Sequence, residues 1–167
     1  MRAREIMTTN LATVSPDDRA QRAAELMAEY DCGCVPVVEA GGRVVGVVTD
    51  RDLAIRGLAH GRGADTPVRE LMTAEPECCD ADADLHEVER IMRDSQLRRV
   101  VVVDADHRCI GIVAQADLAR AAEEGRGVSD TEVARVVERI SEPPSMSLDQ
   151  RPSSSRADAP GAREWRL

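Results

Sequence analysis

The stretch Gly46-Val47-Val48-Thr49-Asp50-Arg51-Asp52 decides the fold, because it joins a strand-forming run to a helix-forming run. The β-branched residues before it are typical of a strand, and residues 50–58 favour a helix. The pattern returns 65 residues later as Gly111-Ile112-Val113-Ala114-Gln115-Ala116-Asp117. We call these stretches the first and second junctions. The chain therefore reads as one unit written twice, and each junction is a place where a ligand can be held.

Working outward from the junctions, the duplication extends over most of the chain. Residues 4–54 align with residues 69–119 at a constant offset and without a gap, and 16 of the 51 pairs are identical. Such self-similarity is the signature of an internal repeat. The sequence divides into a first repeat, a second repeat, a C-terminal amphipathic helix and a disordered tail, at 1–60, 61–124, 125–144 and 145–167.

Each repeat predicts the element order β-α-β-β-α. The predicted segments, first copy then second, are extended pieces 11–14 and 77–79, helices 17–29 and 82–94, strands 34–38, 43–48, 99–103 and 108–113, and closing helices 50–58 and 115–123. The strand runs are almost wholly apolar, so both of their faces should be covered. One copy is too small to bury much core alone. We therefore predict an α/β (α+β) fold of two pseudo-symmetric repeats packed sheet to sheet.

The C-terminal part departs from the repeat. Val133, Val136, Val137 and Ile140 recur at helical spacing and predict an amphipathic helix. Its apolar face should cover either the repeats or a second subunit. Pro143-Pro144 should end this helix, and the polar composition beyond it predicts disorder.

Composition excludes several classes of function. A net charge of −9 gives no broad electrostatic footprint for nucleic acid. No run approaches the roughly 18 apolar residues of a membrane span, and the N-terminus lacks the apolar core of a signal peptide, so we expect a cytoplasmic protein. The five cysteines are expected to be free thiols. Neither cysteine pair has the spacing of a structural zinc site, so no metal is expected, although a metal-thiolate or enzymatic role stays open as the third alternative.

Three features in order, each present twice, resemble a tandem pair of CBS domains, the Bateman module. The matching segments are Ile6-Met7-Thr8 and Leu71-Met72-Thr73, Val35-Pro36-Val37-Val38 and Val100-Val101-Val102-Val103-Asp104, and the two junctions. The match covers roughly residues 4–120 and is strongest to small stand-alone two-CBS proteins of bacteria.

The resemblance implies a regulatory module that does no chemistry of its own. It implies two clefts, each for an adenosine-containing ligand such as AMP, ADP, ATP or S-adenosylmethionine, with no catalytic cofactor. It also implies a homodimer that regulates a protein effector, which the sequence does not identify.

In this family each cleft combines the junction of one repeat with the N-terminal segment of the other. The first cleft would then hold Val45, Val47, Thr49, Arg51 and Asp52 with Thr73, Glu77, Leu97, Arg98 and Arg99. The second would hold Ile110, Ile112, Ala114 and Asp117 with Thr8, Asn10, Ala12, Cys32 and Cys34.

The chemistry of the junction fits a nucleoside but leaves an alternative. A carboxylate such as that of Asp52 can accept two hydrogen bonds from a ribose diol. However, Thr49 and Asp52 also have the spacing of a helix-capping box. In the second copy Ala114 replaces the threonine while Asp117 stays, which favours a ligand role over a cap.

The basic pair has the same ambiguity. Arg98 and Arg99 could bind phosphate bidentately, or they could be solvated or paired with a carboxylate such as Asp94. Glu77 would repel a phosphate nearby, which favours a ligand-independent dimeric scaffold as the second reading.

Overall fold

The computed structural model describes residues 1–125 and 129–141, with the side chains of Asp130 and Glu132 left aside. Its helices are α1 (Ala20–Glu29), α2 (Asp50–Asp52), α3 (Leu85–Asp94), α4 (Gln115–Glu123) and α5 (Asp130–Ser141). Its strands are β1 (Cys34–Val38), β2 (Val44–Thr49), β3 (Thr73–Ala74), β4 (Cys78–Asp80), β5 (Arg99–Val103) and β6 (Cys109–Ala114). The predicted Pro143-Pro144 stop and the tail 145–167 lie outside the described residues.

Two three-stranded sheets, ordered β1-β2-β3 and β4-β5-β6, form the centre of the molecule. Each contains an antiparallel hairpin, β1 with β2 and β5 with β6. Val44 and Val47 of one sheet pack with Val101, Val103 and Ile112 of the other in one apolar cluster. The sheets therefore face each other, and the predicted α/β class with two sheet-to-sheet repeats is confirmed.

Backbone geometry repeats with the sequence. Non-glycine residues in the left-handed region include Asn10 and Glu75, with φ of 64° and 47°, and Asp31 and Gln96, with φ of 48° and 52°. Within each pair the two residues are 65 positions apart. The two copies therefore follow the same path even where their side chains differ.

Both large helices begin later than predicted. Before α1, Pro16 to Arg19 form a turn that the Asp18 carboxylate closes by accepting the Ser15 N–H at 2.7 Å. The side chain of Asp84 accepts the N–H of Glu87 at 2.9 Å and so fixes the start of α3.

The first extended piece and the first closing helix also differ from prediction. The predicted strand 11–14 forms only one parallel bridge, between Val14 and Val37. After α2 the chain widens into a π-helical turn over Leu53–Gly57, a form that occurs mostly as single turns. Here the Arg56 side chain reaches the carbonyls of Leu71 and Met72, at 3.0 and 2.8 Å.

The predicted amphipathic helix forms as α5 and covers the second repeat. Val136 and Ile140 are buried in the cluster that contains Leu85, Val88 and Leu118. Within the chain, α5 therefore covers the repeats, which is the first of the two predicted alternatives. No helix within the described residues is long and apolar enough to cross a bilayer.

Candidate functional site

The first junction closes as a reciprocal cap. The Thr49 N–H donates to the Asp52 carboxylate at 3.0 Å, and the Asp52 N–H donates to the Thr49 hydroxyl at 3.1 Å. The hydroxyl donates in turn to the same carboxylate oxygen, Oδ2, at 2.7 Å. The other oxygen, Oδ1, lies 3.4 Å from the Arg56 guanidinium. Asp52 is thus a cap, but Oδ1 still has lone pairs available.

The second junction uses its aspartate in the same way without a threonine. The Ala114 N–H donates to the Asp117 carboxylate at 2.7 Å, and the Arg120 guanidinium bonds its other oxygen. Asp117 is buried, at 5% exposure. The backbone bond to Ala114 explains why an aspartate remains here, so its persistence does not by itself favour a ligand role.

The N-terminal segments of the two repeats cross over. Thr73 pairs with Val47 across the β2–β3 ladder. In the other direction, Thr8 and Ile112 exchange two backbone hydrogen bonds of 2.8 and 3.0 Å. Residues of both repeats therefore meet beside each junction.

The residues that follow the crossed segments do not all lie beside a junction. Asn10 and Glu77 are exposed. Ala12 packs against the core of the first repeat, while the Glu75 N–H donates to the Val45 carbonyl at 3.2 Å. Only part of each predicted set is thus gathered beside its junction.

Cys34 lies between the two junctions, because its side chain packs against the apolar cluster that contains Ile112. Its backbone is the ladder partner of Thr49. Burial raises the pKa of its thiol to about 11; the Arg99 guanidinium opposes that rise, and the carboxylate of Asp52 adds to it. Cys34 therefore lies within electrostatic range of both Asp52 and Arg99, and its predicted place in the second cleft stays a prediction.

The basic residues border both junctions. The Arg98 carbonyl accepts the Gln115 N–H at 3.0 Å, and Arg99 pairs with Ala114, so their main chain lies at the second junction. The Arg99 guanidinium nevertheless acts on Cys34 across the sheets. Arg98 and Arg99 are exposed. The alternative of an ion pair between these arginines and Asp94 is not formed among the described residues; that carboxylate bonds Arg93 at 3.0 Å.

A polar cavity of about 570 Å³ opens at the hairpin end of the sheets. It shares Val45 with the predicted first cleft and is otherwise lined by residues that sequence reasoning did not select, among them Arg43, Pro76 and His107. The two hairpin turns join here, since the Val44 N–H donates to the His107 carbonyl at 3.1 Å. The alignment of His107 with Gly42 shows that the two residues occupy equivalent hairpin turns. It does not show that the two turns pair with each other.

The cysteines do not form a metal site in the described part of the chain. There, no three His, Cys, Asp or Glu side chains are grouped so as to hold an ion. Burial raises the pKa of Cys78 to about 11 and of Cys79 to about 12. Thiols with such pKa values are protonated near neutral pH and weakly nucleophilic.

Comparison with known proteins gives a consistent result. A family model described as CBS domain matches residues 3–57 and 68–124. The CBS domain-containing protein YhcV of Bacillus subtilis is 42% identical over 116 residues, which cover 70% of this chain and 81% of that protein. Hypoxic response protein 1 of Mycobacterium tuberculosis is 38% identical over 119 residues, with coverage of 71% and 82%.

Solved structures of two relatives superpose on this chain. The crystal structure of hypoxic response protein I with two coordinated zinc ions has a TM-score of 0.66 and 38% identity, covering 72% of this chain and 98% of that one. The crystal structure of CBSX2 in complex with AMP has a TM-score of 0.67 and 30% identity, with coverage of 75% and 98%.

Proposed function

The chain belongs to the CBS-domain family, as its motifs indicated, and from this premise we propose that it is a regulatory module binding an adenosine-containing ligand. The candidate ligands are AMP, ADP, ATP and S-adenosylmethionine. We propose that the ligand occupies the clefts between the two repeats and that the protein does no chemistry on it.

The crossing of the N-terminal segments is the observation that carries this proposal. A ligand beside the first junction would touch Val47 of one repeat and Thr73 of the other, which are ladder partners. It would therefore bind differently when the repeats shift relative to each other. A ligand changes a conformational equilibrium only through such a difference in affinity. The AMP complex of the similar protein CBSX2 supports a nucleotide as the ligand class.

The first cleft offers the better chemistry for a nucleotide. Asp52 Oδ1 has lone pairs that can accept a ribose hydroxyl, and Arg99 lies within electrostatic range of the same region. A guanidinium binds phosphate bidentately. In the second cleft Asp117 is buried and bonded to Arg120, so we expect weaker binding there.

A ligand-independent dimeric scaffold is the second candidate function. It is favoured by the cap bonds of Asp52 and Asp117, which give both aspartates a structural role. In either case we propose a homodimer that regulates a separate protein effector.

Replacing Asp52 by Asn distinguishes a ligand-binding role of this residue from a helix-capping role. The amide oxygen can still accept the Thr49 N–H, so the free energy of unfolding without ligand should fall by only about 0.3–1 kcal/mol, the cost of a lost charge near a helix start. If the carboxylate holds a ribose, affinity should fall at least about tenfold, which corresponds to about 1.4 kcal/mol. Titration calorimetry with each of the four ligands measures this.

Asp117→Asn is the matched control, and a smaller loss of affinity is expected for it. Before calorimetry, a thermal shift screen selects the ligand, because a hundredfold excess over Kd stabilises the folded protein by about 2.7 kcal/mol. Equal binding by the wild type and both variants would show that neither aspartate contacts the ligand. No binding of any of the four ligands by the wild type would favour the scaffold.

A further inference from the structure

Three consecutive backbone carbonyls ahead of β3 accept hydrogen bonds from arginine side chains. The Arg62 side chain donates to the Glu70 carbonyl at 3.0 Å, and the Arg56 side chain donates to the carbonyls of Leu71 and Met72 at 3.0 and 2.8 Å. These carbonyls lead directly into β3, which crosses to the first sheet. Side chains therefore hold the crossed segment in place, in addition to the β2–β3 ladder.

Arg56 contacts the first junction at the same time. Its Nε lies 3.4 Å from Asp52 Oδ1, while its Nη1 bonds the two carbonyls. This ion pair alone contributes little, because the Arg56 side chain is 46% exposed. A guanidinium, however, is planar and presents its donors in a fixed fork. One rigid group therefore links the position of the carboxylate to the position of the carbonyls.

These contacts also fix the orientation of the Asp52 carboxylate. Oδ2 accepts both the N–H and the hydroxyl of Thr49, at 3.0 and 2.7 Å, which uses its two lone pairs. Oδ1 lies beside Arg56 and is the oxygen with lone pairs left for a ribose hydroxyl. The Asp52 side chain is 15% exposed. Arg56 therefore determines which way the available oxygen points.

The second copy has a different arrangement. At the offset of 65, the position of Arg56 is taken by Ala121, which is 2% exposed and has no side-chain donor. Arg120 bonds the Asp117 carboxylate from three residues along the helix, the position equivalent to Ile55. The residue that links junction and crossed segment in the first copy thus has no counterpart at the equivalent position.

We propose that Arg56 is the positioning residue of the first cleft: it orients Asp52 Oδ1 toward a ligand and ties that oxygen to the crossed segment. Binding in the first cleft is then coupled to the placement of the second repeat, and the second cleft has no such coupling through this position. The role in binding rests on the proposed function, whereas the link between junction and crossed segment is present without a ligand.

Hydrogen exchange of the ligand-free full chain, followed by mass spectrometry, tests the link. Two amides report on the crossed segment. The Met72 N–H donates to the Val68 carbonyl at 2.9 Å, and the Glu75 N–H donates to the Val45 carbonyl at 3.2 Å. Local opening of this segment breaks such bonds, so loosening it should raise the exchange rate of residues 72–75.

Arg56→Met removes the charge and the donors. It should raise the exchange rate of residues 72–75 about tenfold, from the loss of two charge-assisted hydrogen bonds. Asp52→Asn should raise the same rate by a smaller factor, because the guanidinium loses its anchor. Arg120→Met is the matched control, since it removes the equivalent partner of Asp117, and it should leave residues 72–75 unchanged.

Titration calorimetry with AMP, ADP, ATP and S-adenosylmethionine in turn tests the positioning of Oδ1. Arg56→Met should lower the affinity for a ligand that the wild type binds by at least about tenfold, because the carboxylate loses its orientation. In the Asp52→Asn background the same substitution should lower affinity by a smaller factor, because Arg56 acts through that carboxylate. A purely structural role would lower stability and leave the affinity of the folded protein unchanged.

Circular dichroism confirms that each variant is folded, and Arg56→Gln replaces Arg56→Met if that variant is not. The proposal is overturned by unchanged exchange of residues 72–75 in Arg56→Met, by an equal rise in Arg120→Met, or by full affinity of Arg56→Met. Affinity losses that multiply in the double variant also overturn it, because Arg56 would then act independently of Asp52. A wild type that binds none of the four ligands overturns the proposed function and with it the role in binding, while the exchange rates still decide the link.

Discussion

Two glycine–methionine contacts hold the crossed segments in place at the residue scale. A Cβ on Gly46 would lie 2.6 Å from the sulfur of Met72 and 3.0 Å from the Thr73 carbonyl oxygen. In the other copy a Cβ on Gly111 would collide with Met7. Each glycine faces a methionine of the other repeat, so these pairs allow the backbones to approach closely enough for crossing.

Gly46→Ala should therefore destabilise the protein. The new methyl group can displace the flexible Met72 side chain but not the Thr73 carbonyl, and overpacking of this kind costs about 1–3 kcal/mol. Urea unfolding followed by circular dichroism measures the change.

Gly63→Ala is the matched control, since a Cβ there meets nothing within 4 Å. Its free energy of unfolding should stay within about 1 kcal/mol of the wild type. Equal stability of the two variants would show that the glycine at position 46 is not needed for the crossing.

At the element scale, α5 completes the second repeat with one face only. Val136 is 3% exposed, whereas its neighbour Val137 is 36% exposed. A hydrogen bond also joins α5 to the segment that follows α3, because the Gln96 side chain donates to the Arg139 carbonyl at 3.2 Å. Only one face of α5 is therefore buried.

Val136→Ala should lower the free energy of unfolding by about 2 kcal/mol, from the lost burial of two methyl groups and the cavity left behind. Val137→Ala makes the same chemical change one residue later and should alter it by less than about 0.5 kcal/mol. Thermal and urea unfolding of both variants test the difference. A larger loss for Val137→Ala would mean that the opposite face of α5 is the packed one.

At the scale of the whole molecule, each sheet is hydrogen-bonded to a segment of the other repeat. The first sheet takes β3 from the second repeat, and Thr8 of the first repeat bonds to β6 of the second. Separating the repeats would break both sets of bonds at once. The chain should therefore unfold as one cooperative unit.

Thiol labelling in increasing urea tests this cooperativity, because Cys34 lies in the first repeat and Cys79 in the second. Cys79 is buried and Cys34 is partly buried, and burial raises the pKa of both thiols, so both should react much faster once their segments unfold. Peptide mass spectrometry should give the same urea midpoint for the two, equal to that from circular dichroism. Clearly separate midpoints would show that the repeats unfold independently.

Local patterns in the sequence were sufficient for the duplication, most of the element order and several boundaries. The strands Cys34–Val38 and Arg99–Val103 form as predicted, because apolar β-branched runs between turn signals specify a strand locally. The apolar residues of α5 also predicted a helix correctly, since helical spacing can be recognised from residues close together in the sequence. The family resemblance supplied the crossing of the N-terminal segments.

The tertiary structure alone decided how the surroundings of the two copies differ. A repeat is symmetric in sequence, so it cannot show that α5 covers the second repeat rather than the first. Nor can the spacing of Ala114 and Asp117 show that a backbone N–H, at 2.7 Å, occupies the carboxylate. Cys34 and Arg99 lie 65 residues apart, and only packing of the sheets brings them within electrostatic range. These features depend on contacts between distant segments, whose geometry is fixed by burial of the shared core rather than by any local preference.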